Sequence, residues 1–464
     1  MKIIRSENPA AIRHGWVILA LLALVVAALG GSSRADAPQI VGLRPLAALF
    51  LVPAIYWLDR SKLRDIRIPA VLLAILAVWM AIQLIPLPPG LWQALPGREP
   101  LAELGAALGI TDVWRPISMV PARTLNALAS LVVPIAGLLL VAATGVSRRT
   151  LLLLLIGIGV LDAMLGILQV TGGNAAALYF YQITNFGSPV GFFANHNHSA
   201  VMSALTLVLI AYCATMPELA FHGSMPRIGF AILYLVVLVA ALIGGSRAGL
   251  LTTLVAVGAS LAMLAIEVRR LRRQRRRVSE TTESRVSPGL VLGVALAALG
   301  AMIALFALSD RIPALDRIAS TGTFEDLRWG LLPTLREMIA TYGLFGSGFG
   351  SFEEVYHIHE PDSLMISSYV NMAHNDWAQL IIEGGVPAVF LIVALLAWLG
   401  RSLGSVLGGG AAGVARMLLW LSVAGILLFA SLVDYPLRTP LFQLFAVWLV
   451  AIFAIERSTY REGS

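Results

Sequence analysis

Residues 150–170 read TLLLLLIGIGVLDAMLGILQV, an apolar run whose second half is interrupted only by Asp162 and Gln169. At 1.5 Å of rise per residue, about 20 such positions carry a helix across the hydrocarbon of a bilayer. Runs of this kind recur along the chain, at about 16–31, 42–58, 68–86, 127–144, 150–170, 198–216, 228–245, 248–267, 289–308, 376–400, 415–433 and 438–456. The whole chain is 58% hydrophobic and 13% charged, against about 25% charged in soluble domains. Its mean hydropathy is +0.84. Lipid offers no water to backbone N–H and C=O groups, so each run must close its own hydrogen bonds as helix. A membrane barrel would show alternating segments of about 10 residues, and the sequence has none. The fold class is therefore all-α: a polytopic helical membrane protein with about 12 transmembrane helices, read as a single integral membrane domain over 1–464.

Charge sets the expected orientation. With the N-terminus inside, the inner side receives 22 of the 33 Lys and Arg, including eight between Arg269 and Arg285. The positive-inside rule then places both termini in the cytoplasm. The run 269–277, LRRQRRR after two arginines, resembles a nucleic-acid patch in isolation. Directly after a span and on the inner side, it reads as a topology anchor against anionic lipid, and no nucleic-acid partner is expected. Ala35-Asp36-Ala37 resembles a leader cleavage site, but the first span is read as retained. The single cysteine, Cys213, lies within an apolar run. It excludes an intramolecular disulfide and a cysteine-rich metal site.

Two outer loops are long, 87–126 and 309–375, and loops of that length carry function or a small fold. In the second, Thr323 followed by Asp326 gives a capping signal. Phe324, Leu327, Leu331, Leu335 and Met338 then recur at helical spacing. An amphipathic helix is expected there, kinked or split at Pro333 and ended by Gly343.

The unusual polar clusters all fall on the outer side. Ala373-His374-Asn375-Asp376-Trp377 closes the longest polar stretch and opens into span ten, with Glu383 about two turns on. His374 brings an imidazole, a side chain that suits a general base, with Asn375 or Asp376 to orient it. Arg247, in the tight turn Gly244-Gly245-Ser246-Arg247-Ala248-Gly249, sits at the hydrocarbon edge, where a charge is expensive and usually functional. A guanidinium there binds phosphate bidentately; the alternative is a snorkelling anchor. Asn195-His196-Asn197-His198 enters span six, with His196 the candidate cation and His198 reading as structural. His357-Ile358-His359-Glu360 has strand-like rather than helical ligand spacing, and we assign no metal. The glycine run 346–350 reads as a turn. Asp162, mid-span, keeps a transporter or flippase as the rival function.

In this order, the motifs resemble the O-antigen ligase and polymerase superfamily of bacterial envelope glycosyltransferases. The matching segments are Phe193-Ala194-Asn195-His196-Asn197-His198, Ser246-Arg247-Ala248-Gly249, Arg328-Trp329, Gly348-Phe349-Gly350-Ser351-Phe352, and His374-Asn375-Asp376 with Glu383-Gly384, spread over 190–400. The resemblance implies a GT-C-like, metal-independent glycosyltransferase of the bacterial inner membrane, without a cofactor. It also implies a periplasmic site, an undecaprenyl-diphosphate-linked donor, and a hydroxyl acceptor on a growing glycan or on lipid A–core. By position it makes Arg247 and His374 catalytic. Arg328, Asn195, His196, Asn197, Asn375 and Glu383 become substrate-binding. In one departure, many relatives carry Arg where this chain has His196, and a histidine is only partly charged at neutral pH.

Overall fold

The structure, a computed structural model, describes residues 9–59, 61–172, 175–215, 225–277, 323–365, 370–407 and 410–462. Helix dominates. Among the described residues, the strand pairing is one antiparallel two-residue ladder, Pro86–Leu87 against Arg115–Pro116. Nine described helices are long and apolar enough to cross a membrane: Gln39–Trp57, Leu63–Ile82, Pro121–Thr144, Arg148–Thr171, His196–Thr215, Arg247–Leu271, Asp376–Ser405, Gly410–Val433 and Pro440–Ser458. Two shorter apolar helices are His14–Leu29 and Ile228–Ile243. Eleven of the expected runs thus fall on apolar helices. The remaining one, 289–308, lies outside the described residues.

The chain folds into two compact units, each built from discontinuous stretches. The first comprises Met1–Val146, Gly322–Arg401 and Ser431–Ala454; the second comprises Ser147–Thr321, Ser402–Ala430 and Ile455–Ser464. Close helix contact in the first unit depends on glycine. A Cβ on Gly137 would meet Leu444 at 2.5 Å, and the buried Trp448 indole donates to the Gly137 carbonyl at 3.2 Å. The segment between Pro86 and Pro116 holds the short helices Pro89–Trp92 and Glu99–Ala107. Arg98, at its centre, is buried and donates to the carbonyls of Pro96, Ile117 and Gly346.

In the second unit, His196–Thr215 is the central helix. It is buried along most of its length and packs on Arg148–Thr171, Met225–Ile243 and Arg247–Arg277. Its small residues permit this: a Cβ on Gly249 would meet the Ala200 side chain at 2.4 Å, and one on Gly159 would meet Thr206. At the other end of these helices, the buried Glu456 carboxylate receives Trp420 Nε1–H at 2.8 Å, Arg148 at 3.2 Å and the Tyr212 hydroxyl at 3.3 Å.

Two expectations change. The amphipathic helix runs Thr323–Tyr342 without splitting at Pro333. It does end before Gly343, whose N–H returns to Ile339 C=O at 2.8 Å. Leu331, Leu335, Met338 and Tyr342 form its buried face, against Phe352, Val355 and Tyr356. That apolar face holds the helix together across the one backbone bond proline removes. Secondly, His357 and His359 lie on a helix, Phe352–His359, not in extended chain. Two residues apart on a helix they diverge. His357 pairs with Glu360 at 3.1 Å, whereas His359 bonds Tyr342 at 2.9 Å and Glu337 at 3.0 Å.

Candidate functional site

The helix Asp376–Leu407 is broken at Gly385, where φ is 64° and ψ is −164°. Such backbone is open to glycine and strained for other residues. A buried break in a helix strips carbonyls of their partners, and each must find another. The glycine run supplies them. Ser347 N–H donates to Ile382 C=O at 2.8 Å, and Gly348 N–H donates to Glu383 C=O at 3.0 Å. Gln83 adds a bond to Glu383 C=O at 2.9 Å, and the Trp79 indole donates to Gly384 C=O at 2.7 Å. The run 346–350 is therefore a backbone seat for the broken helix. Arg98 holds that seat from the far side through Gly346.

The N-terminal end of the same helix carries the candidate chemistry. Asn375 Oδ1 accepts Ala378 N–H at 3.0 Å, the usual N-cap arrangement. His374, just before the cap, has φ +48° and is the one non-glycine residue with positive φ among the described residues. Non-glycine residues in that region are uncommon and concentrate where surrounding structure over-determines them, often at functional sites. Its side chain is 28% exposed, and Nδ1 faces the buried Asp434 carboxylate at 3.6 Å. The Tyr435 ring meets the imidazole edge-on, 4.9 Å between centroids. At that distance the carboxylate is a charge beside the ring and not a hydrogen-bond partner, and among the described residues Nδ1 is buried without a hydrogen bond.

Behind His374 lies a closed ionic set. Arg438 donates to Glu383 at 2.5 Å and lies 3.5 Å from Asp376. Burial works against the Arg438 charge, but Glu383 and Asp376 together hold the guanidinium above its ordinary value. Glu383 is fully buried and also accepts Gln379 Nε2–H at 3.0 Å. Asp376 accepts the Ser431 hydroxyl at 3.0 Å. A cavity of about 380 Å³ opens beside this set. Asn371, Asp376, Gln379 and Arg438 are among its polar lining residues, and Leu380, Ile392 and Leu395 among its apolar ones. An amphipathic ligand is what such a wall accepts.

Arg247 and the Asn195–Asn197 segment belong to the second unit. Ser246 Oγ accepts Gly249 N–H at 2.9 Å, so Arg247 is the first residue of the helix Arg247–Arg277. Asn195 C=O receives the N–H groups of His198 and Ser199 where the helix His196–Thr215 begins. The Gly249–Ala200 contact sets the two helix starts side by side. Two aligned N-termini, each opened by a basic residue, attract an anion. One Asn185 oxygen settles the His196 tautomer. It takes the His196 backbone N–H at 3.1 Å, so it is an acceptor, and the ring Nδ1 at 2.8 Å must then donate to it. His198 is buried edge-on to Phe193, in keeping with a structural role. Arg328 lies on the helix Thr323–Tyr342, and its side chain is outside the described residues.

Sequence reasoning did not single out Asp434, Arg438 or Asn185. The first two sit in Asp434-Tyr435-Pro436-Leu437-Arg438, a charged, proline-containing turn between two apolar runs, and that pattern was the available signal. Asn185 had none, since its role depends on a contact 11 residues away.

Residues 230–393 match the family model for O-Antigen ligase. That segment spans Arg247, Arg328, His374, Asn375 and Glu383. The match supports the O-antigen ligase superfamily and a membrane glycosyltransferase activity of that type. No curated protein matches the chain.

Proposed function

We propose that this O-antigen ligase-type membrane protein moves glycan from an undecaprenyl-diphosphate-linked donor to a sugar hydroxyl at the periplasmic face of the bacterial inner membrane. Both termini are then cytoplasmic, as the charge bias favours. The observation that carries the reading is His374: partly exposed, held at φ +48° before a helix start, and backed by Asp434.

The reaction assigns each group a task. The acceptor oxygen attacks the anomeric carbon while its proton passes to His374 Nε2. The bond from that carbon to the diphosphate oxygen breaks, and its electron pair leaves with the diphosphate. By the motif it occupies, Arg247 is the group assigned to the charge that develops there. Direct displacement inverts the anomeric centre. The acceptor is a growing glycan or lipid A–core, and the fixed arginines make a metal unnecessary. Asn195, His196 and Asn197 stand with Arg247 on the donor side. Arg328 joins the substrate-binding set by the motif it occupies. Asn375 and Glu383 join it on the same ground.

The test is glycan display in a deletion strain complemented with wild type, His374→Ala or Arg247→Ala at matched membrane levels. Wild-type rescue with failure of both variants supports the reading. Long chains held on the lipid carrier then indicate a ligase, and single repeats a polymerase. Full rescue by both variants sinks the mechanism in favour of a transporter.

A further inference from the structure

One carboxylate in the second unit holds both ends of a motif. Asp162, fully buried in the helix Arg148–Thr171, accepts Phe192 N–H at 2.7 Å through Oδ1 and the Ser199 hydroxyl at 2.7 Å through Oδ2. Between those contacts lie Asn195, His196 and Asn197. Two turns along the same helix face, Gln169 grips Gly191 twice. Its Oε1 takes the Gly191 N–H at 2.8 Å, and its Nε2 donates to the Gly191 C=O at 2.9 Å. Gly191 has φ +58°, and a Cβ there would stand 2.1 Å from Asp162 Oδ1, so only glycine lets the chain approach the acid this closely.

The arrangement has a cost that packing alone does not require. An acid deep in a spanning bundle is expensive and usually functional. Among the described residues, Asp162 has no cation as a partner; its contacts all go to the 191–199 segment. A transport pathway would need this side chain facing a cavity, whereas it faces a folded loop.

We infer that Asp162 is a positioning residue for glycan transfer, its carboxylate clamping Phe192 and Ser199 so that Asn195-His196-Asn197 meets the donor in one geometry. The inference rests on the function proposed above. Asp162 touches no substrate; it acts through the loop.

The experiment uses the full chain in native membranes. Asp162→Asn can keep both contacts, because its oxygen accepts Phe192 N–H and its amide donates to Ser199 Oγ. Asp162→Ala loses both. At matched membrane levels, Asp162→Ala is expected to lose about 10²-fold in turnover, with Asp162→Asn within about threefold of wild type. A second readout needs no activity. With Cys213→Ser as background, Ala194→Cys reports loop order through its labelling rate with a membrane-impermeant maleimide. Labelling should rise about tenfold in Asp162→Ala and stay unchanged in Asp162→Asn. If Asp162→Ala does not reach the membrane, Ser199→Ala removes one of the two bonds; a partial rise in labelling is expected, and no rise overturns the clamp. Unchanged labelling with Asn and Ala equally inactive overturns it too, by making the acid itself a chemical participant. Wild-type activity in Asp162→Ala overturns it as well. If the wild type transfers no glycan, the functional reading fails, and labelling alone decides the clamp.

Discussion

Arg438 and Glu383, 55 positions apart, meet at 2.5 Å in the buried part of the first unit. Glu383 stands two residues before the Gly385 break, and Asp376, the other partner of Arg438, begins the same helix. One guanidinium thus ties the start of the helix to its break, directly behind His374.

Removing Arg438 leaves a buried carboxylate without its counter-charge, which costs about 3–5 kcal/mol. Arg438→Leu is expected to lower the thermal midpoint of the purified protein sharply. Arg438→Leu combined with Glu383→Leu should recover most of that loss. A double variant as unstable as the single one would show that the pair is not what the fold depends on.

Asp434→Asn keeps the shape of the contact to His374 and removes its charge. Turnover should fall by about 10²–10⁴-fold, with the melting curve little changed. Adding His374→Ala should cost little more, because residues acting as a unit lose activity together. Additive losses would separate the two residues.

Gly385→Ala places a Cβ 2.7 Å from Gly346 N and Leu344 O at a φ of +64°. The strain costs about 1–3 kcal/mol, and the backbone of residues 344–346 must shift. Gly400→Ala, in the same helix with open space around it, should instead stabilise by about 0.5–1 kcal/mol. Paired thermal melts test both signs.

Burial pushes the Tyr342 phenol up from 10.0 to about 12. Its folded value is raised, so the stability it contributes is whole below pH 10 and is lost as pH rises through about 12. Wild type should therefore lose stability more steeply than Tyr342→Phe between those values. Parallel slopes would remove Tyr342 from the account.

By itself, the sequence determined the spans, the all-α class and the identity of the polar clusters. Hydropathy is a local property: twenty apolar residues must become helix in lipid wherever they occur. The His374 and Arg247 motifs were equally legible, because a titratable or cationic residue at the edge of an apolar run stands out by contrast. Only the tertiary structure decided what those polar groups face. Asp162 kept a transporter as the rival reading, and its carboxylate bonds Phe192 and Ser199 of one segment. The glycine run looked like a turn and supplies the missing partners of a broken helix. The partners of Glu383 and Asn375 were not legible either: one pairs with Arg438 and the other caps a helix. Asp434 reaches His374 across 60 positions. Such pairings follow from burial, since a polar group removed from water must take whichever partner the fold brings near, and the spacing of residues along the chain does not encode that partner.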